Sequence, residues 1–193
     1  MNEYSQPRSG ISALIRDRRT IRSFTSDPLD RAEVLSQLYA AASAVATDWT
    51  QPDARYIFVG SDDGKRRAAA IIMEAYREQG LYRFLPDKLN RVMQERLARI
   101  PAYLIVQLRT GAAAERDLAS VYAALHRFTL LAWSRDIGLV WNTEPILHKP
   151  CIAQGFGLGN DQRIVCILYL GRFAKAPKAK RRTPAQDKLT LLR

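Results

Sequence analysis

Cysteine and histidine are scarce: the 193 residues hold Cys151, Cys166, His126 and His148, and no others of either type. Neither cysteine belongs to a C-x-x-C or Cys/His metal spacing, which leaves a disulfide scaffold and a structural zinc site without support. Both lie in apolar stretches and are expected as buried, reduced thiols. His126 and His148 have no second ligand or nucleophile at a motif spacing, so each reads as a structural or surface residue. The motifs G-x-S-x-G, H-E-x-x-H and G-x-x-x-x-G-K-[ST] are missing, which argues against hydrolase, zincin and P-loop chemistry. Gly155, Gly157 and Gly159 follow a helical stretch and are wrongly spaced for a dinucleotide-binding loop; they read as a cap and turn. No run approaches the roughly 20 apolar residues of a membrane span, and Met1 to Gly10 carries no apolar h-region. A soluble, cytoplasmic protein with no membrane partner is the expectation.

Acidic residues are also in deficit. Nineteen Asp and Glu face 30 Lys and Arg, giving a formal charge of +11 and a pI of about 10.0. Such an imbalance points to an anionic partner. The excess gathers at two ends of the chain, at Arg16, Arg18, Arg19 and Arg22 and again at Lys175, Lys178, Lys180, Arg181 and Arg182. A phosphate held between the clusters accounts for both. A nucleic-acid backbone does so too, but the aromatic platform or recognition helix of such a module is missing. With 47% hydrophobic and 25% charged residues the composition fits a single domain over 1–193, with 1–10 a flexible N-terminus and 172–193 an extended basic tail.

Ile11, Leu14 and Ile15 fit one face of a short helix that runs into the first basic cluster. A second helix is expected over Leu29 to Val45. Tyr56 to Val59 is a β-rich run, followed by a capped helix from about Lys65 to Glu78. Pro86 opens the next helix, with Leu89, Val92, Met93, Leu97 and Ile100 as its apolar stripe. Tyr103 to Leu108 is almost wholly apolar and reads as a strand deep in a sheet. The longest helix spans about Ala114 to Asp136 and ends at Gly138. Leu139 to Trp141 is a third strand, exiting into Asn142-Thr143-Glu144-Pro145. A short helix near Lys149 to Gln154 precedes a fourth strand, Ile164 to Leu170. Long helices between separated strands indicate an α+β or α/β sandwich.

The segment Arg18-Arg19-Thr20-Ile21-Arg22 gathers three guanidiniums and a hydroxyl at a helix end. A guanidinium donates paired, charge-assisted hydrogen bonds to phosphate oxygens, and Thr20 adds a short contact. The alternative is that these arginines complement the helix dipole and face water. No acid–base constellation accompanies them, which suits an enzyme whose cofactor carries the chemistry.

Arg18-Arg19-Thr20-Ile21-Arg22-Ser23-Phe24 fits an R-R-S/T-x-R/K-x-F segment position by position. An Ala-rich helix then runs from Ala40 through Ser43 to Thr47 and on to Gln51-Pro52, with Thr47 where an Asn is usual and Asp53 where a Trp follows. Ile137 to Thr143 matches a G-L-G-x-x-W type strand, and Lys180-Arg181-Arg182-Thr183-Pro184 a K-x-R-x-P tail. In this order of features, over nearly its whole length, the chain resembles the compact members of the nitroreductase family.

That resemblance implies an α+β fold with a central, mainly antiparallel sheet flanked by helices, in an intertwined homodimer. It implies FMN as cofactor, with Arg18, Arg19 and Thr20 at the phosphate and ribityl end and Arg22 at the pyrimidine edge, favouring an anionic reduced flavin. Trp141, Asn142 and Thr143 would lie beside the isoalloxazine, where a backbone amide can reach N5. Lys180 and Arg182 would return to the phosphate, while Ser43, Thr47 and Gln51 would reach the flavin of the other subunit. The implied activity is NAD(P)H oxidation with ping-pong hydride transfer to a small electrophilic acceptor such as a nitroaromatic or quinone. NADH and NADPH both remain open as reductant. A specialised flavin-consuming or dehydrogenating enzyme of the same fold is the alternative, and a basic nucleic-acid-binding module a more distant one.

Overall fold

The computed structural model describes residues 10–43, 54–78, 80–111 and 114–179, together with Lys188 and Thr190. β2, Ala102–Arg109, and β4, Gln162–Gly171, hold the two long apolar runs, and they pair antiparallel at the centre of a four-stranded sheet of order β1-β2-β4-β3. A strand covered on both faces needs apolar residues without alternation, and every residue from Ala102 to Leu108 is buried. β1, Ala54–Val59, and β3, Gly138–Asn142, flank this pair, also antiparallel.

Helices cover both faces. α2, Arg31–Ser43, and α5, Ala114–Trp133, bring Leu38, Leu125 and Phe128 against Leu104, Val106 and Leu168. On the opposite face α3, Asp62–Arg77, and α6, Pro150–Gly155, bring Ile72 and Ile152 against Ile105 and Ile167. α4, Asp87–Ala98, packs on α3. α3 begins three residues before the expected Lys65, because the Ser61 hydroxyl accepts from the Gly64 amide at 3.2 Å and Asp62 and Asp63 favour the positive helix end. Among the described residues no helix is long and apolar enough to cross a membrane.

Two expectations need correction, and two apolar stripes take an orientation that periodicity does not give. The end of α5 is made by Asp136, in the left-handed region at φ 56°, with the Ile137 amide donating to the Ala132 carbonyl at 2.9 Å. Gly138 instead opens β3. The apolar stripes of the first and fourth helices are only partly inward: Ala13 is buried, whereas Ile11 and Ile15 of α1, Ile11–Asp17, are 68% and 52% exposed, and Leu89 and Val92 of α4 are exposed. A seven-residue helix resting on the margin of α5 turns only a narrow side inward. Finally, Cys166 is buried, but Cys151 is only half-buried at the surface of α6.

The role of Gly138 lies in a close approach. A Cβ there would stand 2.5 Å from Ile21 Cγ1, and at Gly171, its partner across the β3–β4 ladder, a Cβ would stand 2.7 Å from Phe24 Cδ1. The two glycines open a seat for Ile21 and Phe24 over the strand ends. The segment is tied down there by its backbone: Ile21 N donates to Leu139 O at 3.1 Å, and Thr25 N to Arg172 O at 2.9 Å.

Candidate functional site

Because Ile21 and Phe24 are seated on β3 and β4, the basic segment between α1 and Ile21 has a fixed place. α1 closes with the Arg18 amide donating to Leu14 O at 3.0 Å. Arg16, Arg18, Arg19, Thr20 and Arg22 then line a cavity of about 520 Å³ whose opposite side is made by Pro177, Lys178 and Ala179. The early cluster and Lys178 of the late one therefore face the same space, while Lys175 does not line it. Lys180 and Arg182 lie outside the described residues. Arg19 does part of what the helix-dipole alternative anticipates: its Nη1 donates to Arg16 O at 2.7 Å and Arg18 O at 2.9 Å, capping α1. A guanidinium has five donors, so this engagement leaves others for a ligand.

Arg22 is exposed and also lines a second cavity, of about 570 Å³. Trp141, Asn142 and Thr143 at the exit of β3 border that same cavity, so the residues singled out at two distant places in the sequence meet across it. Alternation along β3 sends the Trp141 indole to the other face, where it stacks on Tyr122 with centroids 6.0 Å apart, and Nε1 donates to Thr129 Oγ1 at 3.4 Å. Asn142 holds the strand exit in shape. Its Nδ2 donates to the Tyr169 hydroxyl at 2.7 Å and its Oδ1 accepts from the Glu144 amide at 3.0 Å, an Asx-type turn.

Other residues of this cavity escaped sequence reasoning. Tyr76 of α3 donates its hydroxyl to Glu144 Oε2 at 2.7 Å, and its ring lies 5.0 Å from that of Tyr82 in the 3-10 turn Gly80–Phe84. Burial first, then the hydrogen bond to Glu144, holds Tyr76 well above the ordinary tyrosine range, so its hydroxyl keeps the proton that it donates to Glu144. Burial likewise pushes Tyr169 up to about 12, with the Asn142 hydrogen bond opposing. Arg96 and Arg99 reach the cavity from the end of α4. These residues come from separate elements at no motif spacing, and Met73 and Tyr76 are i, i+3 positions that read as ordinary helix core.

Ser43 lines neither cavity; its hydroxyl donates to Tyr39 O at 2.5 Å at the end of α2. Thr47 and Gln51 lie outside the described residues. A further cleft of about 710 Å³ between α3 and α4 mixes arginines with Asp62, Asp87 and Glu95 and contains none of the residues expected from sequence.

The chain is similar to known proteins over most of its length. The model of the Nitroreductase family matches residues 15–172. YfhC of Bacillus subtilis (strain 168), named as a candidate NAD(P)H nitroreductase, is 31% identical, covering 94% of this chain and 94% of its own length. The crystal structure of a nitroreductase-like family protein from Bacillus cereus has a TM-score of 0.84 at 27% identity, over 100% of this chain and 98% of that one. The FMN and NADPH-dependent nitroreductase NfnB from Sphigopyxis sp. strain HMH shares the fold with a TM-score of 0.70 at 19% identity, over 94% of this chain and 98% of that one. The α+β architecture expected from sequence is the one found, and the chain belongs to the nitroreductase family.

Proposed function

We propose that the chain is an FMN-dependent oxidoreductase that takes a hydride from NADH or NADPH and reduces an electrophilic acceptor, such as a nitroaromatic or quinone, in a ping-pong cycle. The observation that carries this reading is the meeting of two cavities at Arg22, one basic and one largely apolar and aromatic. FMN has a dianionic phosphate at one end and a planar ring at the other, and the two donor sets suit those ends in turn. A protein of this fold that uses FMN and NADPH adds support.

Arg18, Arg19 and Thr20 would hold the phosphate and ribityl end, with Lys180 and Arg182 of the tail completing the grip. Bound there, FMN supplies the hydride chemistry, ring to ring, and no side-chain nucleophile is needed. Arg22 places a positive charge at the pyrimidine edge and favours negative charge there. Asn142 fixes the strand exit, and because the Glu144 amide is already donated to its side chain, Thr143 is assigned the amide that faces N5. Trp141 backs this exit through its stacking on α5. Ser43, Thr47 and Gln51 are assigned to the flavin of a partner subunit in a homodimer. The exposure of Ile11 and Ile15 on α1 and Tyr39 on α2 supports that assembly.

Titration of FMN, read by loss of its fluorescence on binding, tests the reading. Arg18→Ala and Arg22→Ala are each expected to weaken binding about tenfold or more, the loss of a charge-assisted contact. Lys88→Ala, on the exposed side of α4, should change nothing. A wild type that takes up no FMN, or equal affinities in all three variants, would sink it.

A further inference from the structure

We infer that the cavity beyond Arg22 contains a subsite for an acid group carried on an aromatic ligand, formed by Arg96 and Arg99. Arg96 lies in the last turn of α4 and Arg99 is its C-terminal cap residue. Three positions apart, they share one side of the helix. Both line the cavity of about 570 Å³ that Arg22, Asn142 and Thr143 bound elsewhere. Both are exposed, and among the described residues neither has a carboxylate partner. The acid on the cavity wall, Glu144, is engaged by the Tyr76 hydroxyl at 2.7 Å.

Complementing the helix dipole accounts for a basic residue in a last turn. It does not account for two guanidiniums that, among the described residues, have no carboxylate partner and stand on the wall of a cavity whose other lining is largely apolar and aromatic, although Arg99 also borders the cleft between α3 and α4. Met73 and Met93 adapt to flat rings, and Tyr76 and Tyr82 stand with centroids 5.0 Å apart as an aromatic wall. Guanidinium forks take a carboxylate or phosphate by paired hydrogen bonds, and a cavity lined by Arg22, Arg96 and Arg99 against the single acid Glu144 raises the local concentration of anions. With Arg22 assigned to the flavin, Arg96 and Arg99 are the surplus charge. The ligand is therefore a planar aromatic molecule with a carboxylate or phosphate group. The acid group has two sources: the acceptor itself, or the extra phosphate that distinguishes NADPH from NADH. The inference rests on the proposed oxidoreductase reading for the claim that this ligand exchanges electrons at the site; anion binding itself stands without it.

The test compares wild type with the R96Q/R99Q double variant, after FMN titration of each. Equilibrium dialysis of the protein as purified measures 4-nitrobenzoate against 4-nitrobenzamide, and NADP+ against NAD+. Steady-state KM values follow for the same acceptors and for NADPH against NADH. The expected result is unchanged FMN affinity, with the member of one pair that carries the extra acid group losing about tenfold in affinity and rising about tenfold in KM, while its counterpart without that group moves less than about twofold. Loss confined to the nitrobenzoate pair identifies the acceptor as source, and loss confined to the nucleotide pair identifies the reductant. No preference for the charged ligand in wild type, or a preference kept in the variant, overturns the inference. So does a parallel loss of FMN affinity, which would place these arginines in the flavin grip. A wild type that binds no FMN overturns the oxidoreductase reading instead, and the dialysis still decides the subsite.

Discussion

Gly138 shows how one missing side chain places the basic segment. Ile21 is 1% exposed and lies 2.5 Å from where a Cβ would stand, so a methyl group at Gly138 cannot be relieved by a swing into water. Gly138→Ala is expected to cost about 1–3 kcal/mol by overpacking and to displace Ile21 together with neighbouring Arg22. Urea unfolding read beside an FMN titration checks both: each should weaken, and a wild-type midpoint with wild-type affinity would remove the positioning role. Asn142 works at the same scale but through polar atoms. Asn142→Ala deletes the donor to Tyr169 and the acceptor for the Glu144 amide in a buried position, a loss of about 1–3 kcal/mol. FMN affinity should fall with it, since the strand exit loses its Asx turn. Retained affinity in a destabilised protein would confine Asn142 to folding.

Among the elements, β2, β4 and α5 were legible because burial on several sides writes continuous or multi-faced apolar runs into the sequence. The stripes of α1 and α4 are legible as apolar faces but not in their orientation: periodicity reports that a face is apolar, not what covers it. Glycine is the usual residue after a helix, so Gly138 reads as the stop of α5, but Asp136 also tolerates the left-handed region. The need for glycine two residues later comes from Ile21, a contact far away in sequence that no local pattern records. The site divides in the same way. Arg18 to Arg22 and Trp141 to Thr143 are contiguous and could be read; Tyr76, Tyr82, Arg96, Arg99 and Tyr169 are scattered over separate elements. β4 also makes a testable case. It carries Cys166 against the α5 layer and Tyr169 toward the opposite one, and burial pushes each up to about 12. Both side chains stay neutral in the fold while the unfolded chain ionises them in their ordinary ranges. The stability from keeping them protonated is therefore whole below pH 9.0, where the cysteine range starts, and is lost as pH rises toward about 12. Urea midpoints measured from pH 8 upward, roughly each half unit, should fall with pH, and more shallowly in Cys166→Ala. Equal slopes would show that the thiol ionises alike in both states.

For the whole molecule, a net charge of +11 works against self-association, so two copies can join only through apolar contact that outweighs the repulsion. The material for such contact is present. Ile11, Ile15 and Tyr39 are 68%, 52% and 66% exposed, and they sit on α1 and α2, both of which pack beside α5 on one side of the sheet. Exposed apolar side chains grouped on one layer mark an interaction face better than the same residues scattered singly. Sedimentation equilibrium is expected to give a mass of twice 21.8 kDa. Ile15→Glu with Tyr39→Glu should shift the protein to the single-chain mass by placing two carboxylates in the joint. If the second copy completes the flavin site, FMN affinity falls in that variant although Arg18, Arg19, Thr20 and Arg22 are untouched. Higher salt should separate the two contributions, since it screens the repulsion between copies and the attraction for the phosphate together, strengthening association while weakening the basic grip. A single-chain mass in wild type that still binds FMN with full affinity would show that one chain holds the flavin unaided, and would release Ser43, Thr47 and Gln51 from the role assigned to them.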